Sequence, residues 1–195
     1  DYATTVERCG PYVDGFVINV SSPNTPNLRE LQKDEDLARI IEAVQIHSGD
    51  KPVLVKIAPD LEDIQIKSIV DTARGLACAG IVATNTTISR PDESPLMSET
   101  GGLSGKPLKS RSTEVIRLIA DHTDGRWPII GVGGISNAED AWEKITNGAC
   151  LVQIYSSMVF NGASVVKEIV NGLDRKLKSK GLANLEQAIG LARGD

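Results

Sequence analysis

The chain has 195 residues, enough for one domain with its own core, and its hydrophobic fraction of 41% and charged fraction of 24% are ordinary for a soluble globular protein. A net charge of −5 and a pI near 5.1 leave no basic footprint for nucleic acid. No apolar run approaches the ~20 residues of a membrane span, and the first residues lack the basic-then-apolar order of a signal peptide. The chain opens on Asp1 rather than a methionine, so a piece of something longer is expected. Cys9, Cys78 and Cys150 are odd in number and lack metal-ligand spacing. They read as reduced thiols of a cytosolic-type compartment. His47 and His122 fall near the ends of helical patterns, and no metal site is expected.

Residues 1–14 carry a weak helical tail broken at Gly10-Pro11. Residues 15–20 are apolar and β-branched and predict a buried strand. It opens into a Pro- and Asn-rich loop over residues 21–33, where Pro23 and Pro26 stop strand and helix alike. That loop is expected to act as a lid. Leu37, Ile40, Ile41 and Val44 then mark a helix face, with Asp34 as its expected N-cap. Residues 52–58 predict a second strand, apolar except for Lys56, followed by a helix that buries Ile69, Val70, Ala73 and Leu76. Residues 80–84 begin a third strand that ends in Asn85-Thr86-Thr87. A long segment over residues 89–108 leads to a helix through Val115, Ile116 and Ile119. Residues 128–132 form a fourth strand closing on Gly133-Gly134. Ser136 and Glu139 have capping-box spacing before a helix with Ala141, Trp142 and Ile145 inside, stopped by Gly148. Residues 151–155 form a fifth strand. The next helix is expected to use Val165, Val166, Ile169, Val170, Leu173 and Leu177, and Asn184 and Gln187 to cap a short last one.

The order is βα five times with nearly continuous apolar strands, which means an α/β protein with a parallel, helix-covered sheet. An open doubly wound sheet competes with part of a (β/α)8 TIM barrel. The polar residues favour the barrel. Asn19, Lys56, Asn85, Gly134 and Tyr155 each stand at or just past a strand's C-terminal end, and a barrel gathers those ends at one mouth. An open sheet needs one or two such ends, at its switch point. Gly131-Val132-Gly133-Gly134 fails the dinucleotide fingerprint at Ser136, and Gly105-Lys106 fails the P-loop pattern at Thr100 and Pro107. Gly133-Gly134 before a capped helix still offers a phosphate seat.

Together these stretches resemble dihydroorotate dehydrogenase, in its quinone-linked class 2. The matching runs are Val17-Ile18-Asn19-Val20-Ser21-Ser22-Pro23-Asn24-Thr25, Val53-Leu54-Val55-Lys56-Ile57-Ala58-Pro59-Asp60 and Ala83-Thr84-Asn85-Thr86-Thr87. Glu99-Thr100-Gly101-Gly102-Leu103-Ser104-Gly105-Lys106-Pro107-Leu108, Pro128-Ile129-Ile130-Gly131-Val132-Gly133-Gly134-Ile135 and Leu151-Val152-Gln153-Ile154-Tyr155 follow in the family's order. Ser22, where class 1 members carry Cys, places the resemblance in class 2. It covers the C-terminal five βα units, so residues 1–195 would be a partial FMN-binding barrel domain without its first three units or the N-terminal membrane-docking helices.

The resemblance implies oxidation of dihydroorotate to orotate in pyrimidine biosynthesis, with hydride passing to FMN and electrons on to a quinone. Ser22 matches the base, with Thr25 and water as its proton outlet. Asn19 matches a residue touching both flavin and substrate, and Asn24, Asn85 and Thr86 match contacts to the pyrimidine ring and its carboxylate. Lys56, Thr84, Gly105, Gly134, Tyr155 and Ser156 match FMN contacts, the last three through backbone N–H groups on the phosphate. Peripheral membrane association is implied for the full-length parent, through the N-terminal segment. A non-catalytic fragment and another FMN barrel, acting on a dihydropyrimidine or dihydrouridine, are the alternatives.

Overall fold

The computed structural model describes residues 1–91 and 98–194. Five strands form one parallel sheet in chain order: β1 (Phe16–Asn19), β2 (Val53–Ile57), β3 (Gly80–Ala83), β4 (Ile129–Val132) and β5 (Leu151–Gln153). The helices are α1 (Tyr2–Cys9), α2 (Asp34–Ser48), α3 (Asp63–Gly75), α4 (Lys109–His122), α5 (Ala138–Thr146), α6 (Ser156–Asn161) and α7 (Ser164–Ser179). Each strand pairs with the next, each of α1 to α4 packs on the next, and α5 packs against α7. A doubly wound sheet reverses its strand order at a switch point. Unbroken sequential order is that of a barrel wall.

Parallel partners share a face of the sheet. Ile18, Val55 and Ile81 stand on the helix side in one buried core with Leu37, Ile41, Ile66, Ile69, Ile116 and Ile119. The other face carries the register row Asn19, Lys56, Val82 and Ile130, ending on Leu151. It is the concave side of an incomplete barrel. At its two edges Val17 is 45% and Leu151 58% exposed, as expected of edges that no strand of the described residues covers.

Several local expectations change. The helix after residue 33 is not capped by Asp34. Lys33 holds the N-cap position, and the Asp34 carboxylate accepts from Ser68 Oγ at 2.6 Å on α3. Before α5, the cap is Asn137, whose Oδ1 accepts from Asp140 N–H at 2.9 Å. Ser136 instead donates its N–H and hydroxyl to Asp140, and Glu139 pairs with Lys176 on α7. The fifth strand stops at Gln153, and Tyr155 holds the N-cap position of α6. On α7, Val165 and Ile169 are buried, but Val166 and Val170 face outward because no described element covers that stripe. Asn184 Oδ1 accepts the Gln187 N–H at 3.2 Å and Gln187 Oε1 the Ala183 N–H at 2.7 Å, but Leu185, not Asn184, holds the N-cap position of the short 3-10 turn that follows. Part of the loop expected over residues 89–108, residues 92–97, lies outside the described residues.

Candidate active site

The C-terminal ends of β2 to β5 open into a cavity of about 910 Å³. Its lining includes Asn24, Lys56, Thr84, Asn85, Thr86, Gly105, Gly134, Tyr155 and Ser156, nine of the expected site residues. Each arrives for a local reason. Lys56 alternates with Val55 and Ile57, so burying those two on the helix side turns its ammonium to the concave face. Burial lowers the Lys56 pKa from its usual value. Thr84, Asn85 and Thr86 follow directly from β3, and the Ala83–Thr84 peptide is cis.

Asn19 and Ser22 stand beside this cavity rather than on its wall. Asn19 Oδ1 accepts from Asn85 Nδ2 at 3.1 Å and from Ser21 Oγ at 3.1 Å, which ties β1 to the β3 loop. Ser21, which the sequence did not single out, is fully buried and also accepts from Asn85 Nδ2 at 3.0 Å. The Ser22 hydroxyl accepts the Asn24 N–H at 3.3 Å, a local turn that keeps it on the mouth side of β1. Thr25 engages through its carbonyl, which accepts from Leu28 N–H at 3.3 Å; no direct Ser22–Thr25 hydrogen bond forms. Asn24 Oδ1 accepts Gly102 N–H at 3.2 Å, so the loops after β1 and β3 meet over the cavity.

A second set of residues supports these. Arg29 donates to Ser21 O at 3.1 Å, to Asp60 at 2.8 Å and to Thr86 O at 2.9 Å, joining the loops after β1, β2 and β3. Asp60 also accepts from Thr87 Oγ1 and from Ile88 N–H. Charged residues inside a Pro- and Asn-rich loop were the available signal for Arg29. Ser104 and Ser156 hydroxyls lie 2.7 Å apart across the cavity rim.

At the far end, Gly133 and Gly134 have φ of +127° and +70°. A Cβ on Gly134 would fall 2.5 Å from Lys109 Cβ, so the chain there must be bare. Lys109 pairs with Asp140 at 2.6 Å and Glu143 at 2.8 Å, and the hydrogen bonds to those carboxylates push its pKa up to about 12. Burial works to raise the Asp140 pKa, but hydrogen bonds from Lys109 and Ser136 win and lower it. Ser157 Oγ, on the same wall, is buried without a hydrogen-bond partner among the described residues. An unsatisfied buried hydroxyl typically costs about 1–3 kcal/mol, which an anionic oxygen at this position would offset. Among the described residues no cluster of His, Cys, Asp or Glu could hold a metal ion.

An incomplete parallel barrel with a polar mouth and a bare glycine turn on its wall is the class of protein these features define. The family model of dihydroorotate dehydrogenase matches residues 1–177, and the chain belongs to that family. A dihydroorotate dehydrogenase (quinone) from Trichodesmium erythraeum is 49% identical over 96% of this chain and 51% of its own length. One from Halobacterium salinarum is 48% identical over 97% of this chain and 54% of its own. Two solved structures from Eimeria tenella superpose over the whole chain. The DHODH in complex with ferulenol has TM-score 0.93 and 36% identity, and the ligand-free type has TM-score 0.94 and 37% identity. The chain spans about half the length of the curated relatives it matches.

Proposed function

We propose that these residues are the C-terminal five βα units of a quinone-linked dihydroorotate dehydrogenase, and that they carry its base, most of its substrate contacts and its phosphate seat. The observation that supports this best is the convergence of Lys56, Asn85, Gly134 and Ser156 on one cavity. FMN fits what is present: a bare glycine turn, an orphaned Ser157 hydroxyl and a cation on the wall. When bound, FMN would take up the hydride and pass electrons on to the quinone.

The chain's own residues hold and prepare the substrate. Asn24, Asn85 and Thr86 offer amides and hydroxyls suited to a ring of alternating N–H and C=O groups and its carboxylate. Ser22 Oγ takes the ring proton as its own hydroxyl proton passes on to water and Thr25. The Asn24 N–H that it accepts favours the oxygen with its negative charge, which eases loss of the hydroxyl proton. Lys56 stabilises negative charge at the cofactor from a partly desolvated site, where its field is strong. Gly134, Tyr155 and Ser156 bind phosphate through backbone N–H groups. Thr84 and Gly105 line the rest of the flavin site, and Asn19 braces Asn85 while meeting flavin and substrate. Any peripheral membrane contact belongs to segments outside these 195 residues; no described helix is long and apolar enough to cross a membrane.

Dihydroorotate added anaerobically to the purified full-length protein should bleach its flavin absorbance, and quinone should restore it. Bleaching by another dihydropyrimidine but not by dihydroorotate would transfer the site to a related flavin barrel. A second reading concerns the 195 residues alone. Their exposed sheet edges favour a piece that does not turn over substrate by itself.

A further inference from the structure

Lys144, on α5, is fully buried. Its ammonium donates to Lys109 O at 2.7 Å, to Thr113 Oγ1 at 2.6 Å and to Ser112 Oγ, all on the first turns of α4. Those acceptors use all three of its N–H donors. The nearby carboxylates of Asp140 and Glu143 pair with Lys109 instead. A methionine would fill a similar space without the expense of burying a charge, so packing alone does not explain a cation here.

The direction of the hydrogen bonds suggests what it does. Ser112 Oγ accepts from Lys144, so its own hydrogen must point elsewhere. Lys109 O, at 3.3 Å, already takes Lys144 and lies 3.1 Å from Thr113 Oγ1, whose single hydrogen also has Glu143 as an acceptor at 3.3 Å. The Gly133 carbonyl, at 3.2 Å, is the nearer of its two acceptors and the one that does not already take the Lys144 ammonium. A Cβ on Gly133 would fall 2.8 Å from Ser112 Oγ, and one on Gly134 would fall 2.5 Å from Lys109 Cβ. The first turn of α4 therefore lies directly against the glycine turn, and any shift of one moves the other.

We propose that Lys144 is a positioning residue whose buried ammonium, acting through Ser112, holds the Gly133-Gly134 backbone in the orientation that receives the flavin phosphate. This rests on reading that turn as the phosphate seat. The test compares FMN with riboflavin, which lacks the phosphate, on the full-length apoprotein by quenching of flavin fluorescence. Lys144→Met should weaken FMN by about tenfold, the lower end of what supporting partners contribute elsewhere, and leave riboflavin nearly unchanged. Ser112→Ala should move the same ratio in the same direction, and it decides the matter if Lys144→Met does not fold. Equal weakening of both flavins, or an unchanged ratio in Ser112→Ala, would reduce Lys144 to a packing role and overturn the inference. A parent protein that binds FMN no better than riboflavin would instead remove the phosphate seat itself.

Discussion

Ser22 reaches the mouth of the barrel because Pro23 ends β1's direction and the Asn24 N–H fixes its hydroxyl. It is not on the cavity wall that carries Gly134 and Ser156, the proposed phosphate seat. Ser22→Ala in the full-length protein should therefore keep flavin bound while turnover falls by at least about a hundredfold, the usual contribution of a positioned base. Retained flavin with activity within about tenfold of the parent, roughly 1.4 kcal/mol of barrier, would assign proton removal elsewhere. Lys144 makes a different prediction at the same scale. Burial lowers its pKa to about 8 in the folded chain, below its unfolded value. Between those two values the unfolded state holds the extra proton, so stability rises with pH across that window. Below about pH 8 both states are charged and the burial penalty is fully present. Cys78, raised by burial to about 11, and Tyr2, also raised by burial, act in the opposite direction above pH 9. The clean measurement is therefore a difference. Denaturant midpoints from pH 7 to 10 should climb for the parent relative to Lys144→Met, and parallel curves would show that Lys144 does not titrate there.

The loop over residues 21–33 divides into two parts that its composition did not separate. Residues 28–32 form a 3-10 turn, and buried Gln32 accepts the Ala58 N–H at 3.0 Å while donating to Arg29 O at 3.2 Å. Arg29 then fastens this turn to Asp60 and Thr86. The part free to close is thus narrower, residues 22–27. Orotate should raise amide protection there and leave residues 28–32 unchanged; equal protection throughout with and without orotate would argue against any lid. Arg29→Ala removes three bonds at once, including a charged pair with side chains only 21% and 19% exposed. It should lower stability by about 2 kcal/mol, in the range for hydrogen bonds to charged groups, and spread the orotate-sensitive region into residues 28–32. The elements themselves were largely legible, since apolar periodicity marks which face of α2, α3 and α4 is buried. Their caps were less so. Asp34 has the chemistry of an N-cap, but Ser68 and Thr72 on α3 compete for its carboxylate. Ser136 and Glu139 have capping-box spacing, yet Asn137 is one residue nearer the helix and Lys176 claims Glu139. Tertiary partners decide such contests, and one-dimensional spacing does not contain them.

The whole molecule was legible as five sequential βα units from its alternating apolar strand and helix patterns, and as barrel rather than open sheet from the site residues at the strand ends. The residues that brace the mouth, Arg29, Ser21 and Lys144, were not, because their partners lie on other units and only folding brings them together. Exposure of Val166 and Val170 on α7 has the same origin from the other side: helical spacing marks them as core, but no described element covers them. That exposure continues through Tyr155, Val159 and Phe160 near the β5 edge, while Val17 marks the β1 edge. In a closed barrel both edges pair, and Leu151 and Val17, on the concave face, become interior. This gives one substitution opposite effects in two settings. Leu151→Lys should reduce self-association of residues 1–195 expressed alone, since a lysine on an exposed edge blocks strand addition. In the full-length protein the same lysine would enter the barrel interior without a partner and should destabilise it by several kcal/mol. Light scattering of the short chain and denaturant unfolding of the long one measure the two arms. The short chain alone should also bind FMN weakly. If Leu151→Lys is harmless in the full-length protein, β5 is a true outer edge, and the five strands are not the wall of a larger closed barrel.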